Sequence, residues 1–380
     1  MKKKIAFTFP HLYEFGGGEI FCEYLTNYLV KYYNVDLFYY SSYGINKRIR
    51  FDKKIKIIGI KSDNFIINFF CKNYIFIAHL YLLLFLQSKK YHFVFSGAGE
   101  FFHPNKCFQY IHHPFYSLNI SHYLSLGLKR KNFIKILLRF IFSFAARLFI
   151  FVNNSKYSKT ITLVNSKFIK ERFLNIYKNN KLKIVYPTFK IPNILNENFS
   201  KYENRKNDFV ILGRVSKDKN TIEAAKFFSN FNKKNRILNL GKLHIIGPIE
   251  KKLKKEVKKL IAQNDNLHFH GYLSLKKRNK ILKKSKYGLH FFVGEHFGRS
   301  ILEMQKFGII VFCHDSGGAM EIVSSKLQKF TSYIDLENKI KKVIDNISER
   351  KKIKKMINRK ILKYSDQEFR KNILKALHNE

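Results

Sequence analysis

Cysteine is scarce in this sequence, and the few cysteines that occur are scattered. Cys22, Cys71, Cys107 and Cys313 lie far apart along the chain and form no C-x-x-C pair. This excludes the spacing of a disulfide framework or a cysteine-based zinc site. Because disulfides persist mainly in oxidising compartments, the pattern favours a protein of a reducing compartment.

Acidic residues are also few. Asp and Glu number 27 against 72 Lys and Arg, which gives a formal net charge of +45. Much of the excess is lysine scattered among Asn, Ile and Phe, but the local clusters predict attraction to anionic lipid, nucleotide or nucleic acid. A nucleic-acid-binding protein would need a recognition helix or an aromatic platform for single strands, and we find neither motif in the sequence. That class stays as the less favoured alternative.

The sequence lacks an apolar run long enough to cross a membrane. Residues 74–86 are nearly all apolar, but this stretch is too short to span a bilayer, so it predicts a core helix. The basic residues 2–4 and the apolar run after them resemble a secretion signal superficially. That run stops at Pro10 and a glycine loop follows, so we expect no secretion signal here.

The chain opens with a strand, a glycine loop, a helix and a second strand. Residues 5–9 and 35–40 predict the strands, and Gly16, Gly17 and Gly18 form the loop that opens the helix. Such a βαβ unit predicts a parallel sheet and an α/β fold, in which the loop lets backbone approach a ligand at the strand's carboxyl end. A triple glycine alone is equally compatible with a flexible turn.

A chain of 380 residues is long enough for two domains. The polar, aperiodic stretch 193–207 predicts a linker between a first domain, 1–192, and a second domain, 208–362. We expect a C-terminal helix over 363–380 that packs back on the first domain. Each half repeats the order strand, small turn, helix.

The most informative stretch is 294–303. It follows a buried strand predicted over 287–293, and after Gly298 the apolar spacing becomes helical. A helix N-terminus above a strand end is a ready site for anionic oxygen. Glu295 precedes the turn, and Glu303 lies about 7 Å along the helix axis. A nucleotide sugar, with phosphate in the middle and hydroxyl-rich groups at both ends, matches this layout.

A second loop in the same half carries two cations. Gly213 ends a strand predicted over 209–212, and Arg214 and Lys219 follow it in a strand-to-helix loop. Both are spaced to reach one diphosphate, whose charge develops when a sugar–phosphate bond breaks. In a chain this basic, two solvated surface charges are the default alternative. The helix that follows is predicted to begin with a capping box of Asn220 and Glu223.

Two features of the first half are candidates for ligand contact. His112 follows the strand predicted over 107–111 and lies just before a proline stop, although two surface histidines at a turn are the plainer alternative. Residues 129–150 predict a helix with a broad apolar face and a narrow stripe repeating every four residues: Lys131, Lys135, Arg139, Ser143 and Arg147. Such a helix suits the surface of an anionic membrane, and a core helix with one solvated stripe is the alternative. The lysine-rich helices at 251–260 and 338–360 predict solvated faces.

These motifs together resemble the donor-binding half of retaining glycosyltransferases of family 4. The residues that carry the resemblance are Gly213, Arg214, Lys219, Asn220, Glu295, Glu303, Asp315, Ser316, Gly317, Gly318 and Glu321. In the first half it extends through Gly16, Gly17, Gly18, Glu19, Tyr110, Ile111, His112, Val164, Asn165 and Ser166. These motif residues are most similar to those of α-1,2-mannosyltransferases that extend lipid-linked oligosaccharides.

The resemblance implies a GT-B fold, with two Rossmann-like domains facing a cleft. By analogy Arg214 and Lys219 bind the diphosphate, Glu295 holds sugar hydroxyls, Glu303 binds the ribose and His112 contacts the transferred sugar. Gly16, Gly17 and Gly18 approach the phosphate and the acceptor. The other donor-binding candidates are Gly213, Tyr272, His296, Phe297, Gly298 and Arg299.

The expected activity is therefore retaining transfer of a hexose to a saccharide acceptor, and a lipid-linked acceptor is favoured. GDP-mannose is the favoured donor and UDP-sugars are the alternative, because Arg299 and Met320 depart from the family pattern. The absence of an Asp-x-Asp motif agrees with a metal-independent enzyme that needs no cofactor. We expect the protein at the cytoplasmic face of a membrane, bound peripherally through 129–150. A catalytically silent scaffold is a further alternative, disfavoured by the intact charged motif.

Overall fold

A computed structural model describes residues 2–13, 16–101, 103, 106–114, 130–152, 159–177, 181–188 and 199–378. The chain divides into two compact units. Unit 1 comprises Met1–Phe189 with Phe369–Glu380, and unit 2 comprises Lys190–Glu368. Each unit consists of a parallel sheet with helices, which confirms the predicted α/β class.

Unit 1 is built on a seven-stranded parallel sheet with the order β3-β2-β1-β4-β5-β6-β7 in its described residues. Its strands are β1 Lys4–Thr8, β2 Asn34–Tyr40, β3 Lys56–Ile60, β4 Val94–Ser96, β5 Cys107–Ile111, β6 Ile161–Val164 and β7 Leu182–Ile184. Its helices include α1 Gly17–Leu29, α2 Phe65–Asn73, α3 Ile75–Leu86, α4 Arg130–Val152 and α5 Lys167–Leu174. The strand order reverses beside β1, as in a doubly wound sheet.

The inner strands of unit 1 follow the apolar runs in the sequence. β1, β4 and β5 are buried over nearly their whole length, as strands of a parallel sheet covered on both faces should be. Strand β3 and helix α2 were not predicted. β3 lies at the sheet edge and is mostly exposed, and α2 leaves most of its apolar side chains exposed. Neither segment therefore carries a pattern that indicates a buried face.

Helix α3 buries one of its faces in the core predicted for residues 74–86. Ala78, Leu82 and Leu86 are fully buried there, while Leu84 and Phe85 are exposed. The helix also buries His79, whose Nε2 lies 2.9 Å from the Glu100 carbonyl oxygen. Burial lowers the pKa of His79 to about 4, so its imidazole is neutral at physiological pH.

Helix α4 turns an apolar face outward. Leu137, Ile141, Phe144 and Leu148 are all exposed, whereas Ser143 is fully buried. The predicted stripe is therefore wrong at Ser143. The side chains of Lys131, Lys135 and Arg139 lie outside the described part of the structure. Within the described residues, no helix has both the length and the apolar content required to traverse a bilayer.

Unit 2 is built on a six-stranded parallel sheet with the order β10-β9-β8-β11-β12-β13 among its described residues. Its strands are β8 Lys206–Leu212, β9 Leu243–Ile246, β10 Leu267–Gly271, β11 Ser285–His290, β12 Ile310–His314 and β13 Lys329–Phe330. Its helices include α6 Phe199–Glu203, α7 Thr221–Lys234, α8 Lys254–Ala262, α9 Leu275–Lys284, α10 Arg299–Lys306, α11 Ala319–Ile322, α12 Tyr333–Asp345 and α13 Ile347–Ile361. The order reverses between β8 and β11.

Regular structure begins earlier than the predicted end of the linker. Residues 193–198 lie outside the described residues, but helix α6 and the start of β8 occupy most of 199–207. Helix α6 is linked to helix α13, because its Glu203 Oε2 accepts a hydrogen bond from Arg350 Nη2 at 2.7 Å. A stretch without apolar periodicity can thus be ordered by an ion pair with a residue far along the chain.

The prediction of a solvated face over 338–360 is wrong at two positions. Arg350 and Lys354 of α13 are both buried. Arg350 pairs with Glu203, and Lys354 Nζ donates to the Gly308 carbonyl oxygen at 2.9 Å. Because each cation has a partner in the protein, its burial is compensated.

The last helix, α14 Asp366–His378, completes the core of unit 1. From Phe369 onward its apolar side chains join the cluster formed by β1, β4 and α1. The Phe369 and Phe21 rings meet at 6.0 Å between centroids, and Arg370 Nε donates to the Tyr24 hydroxyl at 2.9 Å.

Candidate functional site

The candidate site in unit 2 lies where the strand order reverses. Strands β8 and β11 are neighbours, and open parallel sheets bind ligands beside the carboxyl ends of such strands. The loop after β8 carries Gly213, Arg214 and Lys219, and the loop after β11 carries Glu295. The topology therefore brings the two predicted charged loops to one edge of the sheet.

Glu295 is the centre of a cluster of charged groups. Its Oε2 atom lies 3.0 Å from Lys219 Nζ and 3.2 Å from His290 Nε2, and its side chain is 13% exposed. Burial raises the pKa of Glu295, but the hydrogen bond from His290 and the charge of Lys219 outweigh it and hold that pKa well below its usual range. Glu295 is therefore a carboxylate at any physiological pH and accepts hydrogen bonds only.

His290 is a member of this cluster that sequence reasoning missed. It is the last residue of β11, it is buried, and Ser300 Oγ lies 3.5 Å from its Nδ1. In the sequence it lies inside the buried strand predicted over 287–293. A histidine that ends an apolar strand just before a functional loop is the pattern that points to it.

The Lys219 side chain is held by more than its ion pair. Its Nζ also lies 3.7 Å from the centroid of the Phe292 ring, a cation–π contact. Asn220 does not form the predicted capping box, because its backbone is left-handed at φ 49° and its side chain makes no cap hydrogen bond. Instead its Nδ2 donates to the Phe291 carbonyl oxygen at 3.2 Å. Both residues thus tie the β8 loop to the β11 loop.

Arg214 is not brought to this cluster. Its side chain is 53% exposed, and its Nη2 lies 3.8 Å from Asp218 Oδ2 within the same loop. At that distance the pair is weak, and the guanidinium stays open to solvent. Of the two predicted phosphate-binding cations, Lys219 is therefore held in place by its contacts, whereas Arg214 is exposed.

Glycines hold the Glu295 loop in place. Gly317 has φ +72°, and a Cβ there would lie 2.4 Å from the Glu295 carbonyl oxygen. A Cβ at Gly318 would lie 2.2 Å from the His296 carbonyl oxygen, and the Gly318 N–H donates to Glu295 O at 2.6 Å. Ser316 Oγ accepts from the Gly294 N–H at 2.8 Å. The motif at 315–318 is therefore a backbone cradle for the loop.

Helix α10 begins behind this loop. Its first turn is entered through Gly298 at φ +104°, and Arg299 is its first residue. The Phe297 side chain is buried against the Tyr364 ring, with 5.8 Å between centroids, so this ring is part of the packing of unit 2. The His296 N–H donates to Glu295 Oε1 at 3.1 Å.

The remaining donor-binding candidates of unit 2 differ in burial. Glu303 of α10 is 5% exposed, and its Oε1 lies 2.5 Å from Nη2 of Arg278 in α9. Tyr272 follows the exit of β10 and is 54% exposed. Glu303 is thus built into the protein, whereas Tyr272 extends into solvent.

The candidates in unit 1 lie at the carboxyl edge of its own sheet. Gly16 is the N-cap of α1, and its N–H donates to Glu19 Oε2 at 2.9 Å, while Gly17 and Gly18 form the first turn. The His112 ring follows β5 and meets the Phe21 ring of α1 edge-on, with centroids 4.7 Å apart. His112 is half-buried rather than fully exposed as on a simple surface turn.

The second half of the chain is similar to a known protein family. Residues 195–360 match the family Glycosyl transferases group 1. The GDP-Man:Man(3)GlcNAc(2)-PP-Dol alpha-1,2-mannosyltransferase of Xenopus tropicalis is 27% identical over 229 residues, 56% of this chain and 47% of that relative. The chain thus spans about half the length of the curated relatives it matches.

Solved structures confirm the fold. HepE of Anabaena, crystallised with UDP and glucose, superposes with a TM-score of 0.68 at 14% identity and covers 100% of both chains. A glycosyltransferase from Rickettsia africae ESF-5 gives a TM-score of 0.68 at 17% identity, again over 100% of both chains. The expected GT-B fold and the resemblance to glycosyltransferases are both confirmed.

Proposed function

Since unit 2 carries a glycosyl transferases group 1 domain on a GT-B fold, we propose that the protein is a retaining glycosyltransferase. It moves a hexose from a nucleoside-diphosphate sugar to a saccharide acceptor. The observation that carries this proposal is the partly buried cluster of Lys219, Glu295 and His290 where the strand order reverses. Charged side chains held in fixed positions at a sheet edge are suited to binding a diphosphate sugar.

Each member of the cluster has a role in the proposed reaction. Lys219 supplies positive charge where negative charge develops on the departing diphosphate. The Glu295 carboxylate accepts hydrogen bonds from hydroxyls of the transferred sugar, and His290 orients that carboxylate. The bond from the anomeric carbon to the diphosphate oxygen breaks, and the acceptor oxygen bonds to the same face of the sugar. The acceptor's proton passes to the departing diphosphate, so no metal ion or second carboxylate is required.

For the donor we favour GDP-mannose. The curated relatives carry GDP-Man in their names, and the matches to them extend over 56% of this chain. A UDP-sugar is the alternative, since HepE was crystallised with UDP. His112 and the glycine loop of unit 1 are proposed to contact the transferred sugar and the acceptor.

The acceptor is proposed to be a lipid-linked saccharide, a lipopolysaccharide or a capsule precursor reached from the cytoplasmic face of an anionic membrane. Helix α4 exposes an apolar face, and α2 exposes Phe65, Ile66 and Phe69 beside it. The two helices meet through the rings of Phe70 and Phe142, 5.7 Å apart. Exposed apolar side chains on two touching helices of so basic a chain fit peripheral binding to anionic lipid.

The test is the thermal stability of the purified protein with GDP, UDP, ADP and their common sugar conjugates. A ligand that binds only the native state stabilises it by about 2.7 kcal/mol at a hundredfold excess over Kd. Stabilisation by GDP alone supports the GDP-mannose donor, and stabilisation by UDP alone keeps the activity and replaces the donor. If every nucleotide fails while polyanions stabilise the protein, the proposed activity is wrong and a nucleic-acid-binding function takes its place.

A further inference from the structure

One arginine of helix α9 differs from every other basic residue of that helix. Its other cations, all lysines, are exposed: Lys276, Lys277, Lys280, Lys283 and Lys284. The Arg278 side chain is only 17% exposed and reaches Glu303 Oε1 with its Nη2 at 2.5 Å. Arg278 is thus the one cation of α9 that is turned inward, where it contacts a specific partner.

The partner is a buried carboxylate. Glu303 lies in α10, is 5% exposed, and sits on a helix that packs, like α9, against β8. A buried carboxylate needs a partner that stabilises its charge. Lys306, one turn further along α10, is also buried, and burial lowers its pKa although the charge of Glu303 raises it. Arg278 makes the direct contact.

We propose that Arg278 is the positioning residue for ribose recognition. It holds Oε1 of Glu303, so that Oε2 is presented to the ribose hydroxyls of the donor nucleotide. The inference rests on the proposed function and on the ribose-binding role of Glu303 that the family resemblance implies. Arg278 touches neither the sugar nor the diphosphate, and it acts only through Glu303.

The choice of arginine in a lysine-rich helix fits this role. A guanidinium is a planar fork that fixes the orientation of a carboxylate, whereas an ammonium is a point charge on a flexible stem. Lysine at 278 would preserve the charge near Glu303 but would let the carboxylate rotate. We therefore expect charge and orientation to be separable by substitution.

The experiment compares ribose recognition in matched variants by isothermal titration calorimetry. The probes are GDP and UDP, each against its 2′,3′-dideoxy counterpart, and the variants are Arg278→Gln, Arg278→Lys and Lys277→Gln. In the unsubstituted protein we expect the ribose form of the bound nucleotide to bind about tenfold tighter or more, the size of a hydrogen bond to a charged group. Arg278→Gln should bring this ratio close to one, Arg278→Lys should leave an intermediate ratio, and Lys277→Gln should keep the full ratio.

The outcomes separate this inference from the proposed function. Nucleotide binding with an unchanged ribose ratio in Arg278→Gln would show that Arg278 is merely structural, even if the variant melts earlier. A ratio near one in the unsubstituted protein would also overturn the inference. Failure of GDP and UDP to bind at all would instead refute the proposed function. If Arg278→Gln does not fold, Arg278→Lys and Glu303→Gln replace it. An unchanged ratio of ribose to dideoxy affinity in both of these variants contradicts the proposal.

Discussion

The two units share a sheet type but organise their candidate sites by different forces. In unit 2 the loop after β11 is fixed by the ion pair of Lys219 with Glu295 and by the contact of His290 with the same carboxylate. In unit 1 the loop after β5 is held by uncharged contacts: His112 packs against the Phe21 ring, and Asn165 Nδ2 donates to the His112 carbonyl oxygen at 3.1 Å. Ion pairs that are buried resist solvent screening and set the protonation of their members, whereas ring contacts set position only. The charge chemistry of the proposed reaction therefore resides in unit 2.

The comparison also teaches how to recognise a functional cation in a lysine-rich chain. A positive charge alone does not indicate a functional residue here, because the chain carries a formal net charge of +45. Lys219 and Arg278 are distinguished by low exposure and by a carboxylate within hydrogen-bond distance. Arg214, placed in the same motif, has neither property.

The largest expected effect is at Lys219. Lys219→Met removes the cation beside Glu295, and we expect the rate of sugar transfer to fall by about 10²–10³-fold, as when one preorganised charge donor is lost. The control is Lys217→Met, since Lys217 is an exposed lysine of the same loop. Initial rates with saturating donor measure both. Equal rates in the two variants would contradict the assignment of the reaction's charge to unit 2.

The second effect is a pH dependence located in unit 1. Burial lowers the pKa of His79 to about 4, so as pH falls the unfolded chain takes up this proton first, and stability is lost between about pH 6.5 and 4. The loss from His79 amounts to about 3 kcal/mol at 1.36 kcal/mol per pKa unit. Glu295 has a depressed pKa, so its contribution is lost only below the ordinary carboxyl range.

Urea unfolding at a series of pH values measures this difference. His79→Gln should flatten the profile between about pH 6.5 and 4, relative to the unsubstituted protein. His378→Gln is the control, because His378 is exposed. A steep loss that persists in His79→Gln would mean that other buried histidines of unit 1, His11 and His103, dominate.

The third effect tests how rigidly the Glu295 loop is held. Gly317 and Gly271 both have positive φ, but a Cβ at Gly271 meets nothing within 4 Å, while at Gly317 it meets the Glu295 carbonyl oxygen. Gly271→Ala should cost only backbone strain, about 1–3 kcal/mol. Gly317→Ala should cost a further 1–3 kcal/mol or so of overpacking. Equal unfolding free energies for the two variants would show that the loop yields easily.

The smallest effect concerns the exposed apolar face of α4. Phe144→Gln should weaken binding to vesicles of mixed anionic and neutral lipid by about tenfold, because the ring is 56% exposed and burying that part of it contributes about 1.5 kcal/mol. Ile237→Gln is the control, since Ile237 is 99% exposed but lies in unit 2. Co-sedimentation measures both variants. Identical binding would assign the face of α4 to another partner.

Much of the fold follows from local pattern. Strands β2, β5 and β8 end where apolar runs end at a glycine or a polar residue, and the strand–turn–helix order predicts parallel sheets. The pair of Glu295 and Lys219 was predicted as part of one motif, and the structure brings their side chains together. Contacts made by loops at adjacent strand ends are accessible to sequence reasoning because topology alone places them side by side.

What sequence reasoning missed depends on partners far along the chain. Arg278 and Arg350 have the local pattern of solvated cations, and only the fold supplies Glu303 and Glu203 as their partners. The capping box at Asn220 failed for a related reason, since the Phe291 carbonyl oxygen competes for its side chain. Tertiary hydrogen bonds can override a local propensity worth about 1 kcal/mol.

The terminal helix α14 has a consequence for the order of events on the ribosome. Phe369 and Ile373 are part of the core built by α1 and β1, yet they are translated only after the whole of unit 2. During translation the apolar surface of unit 1 that α14 covers therefore stays exposed until unit 2 has been synthesised. We expect the isolated segment 1–189 to aggregate during synthesis, and co-expression of the α14 peptide in trans to rescue its solubility.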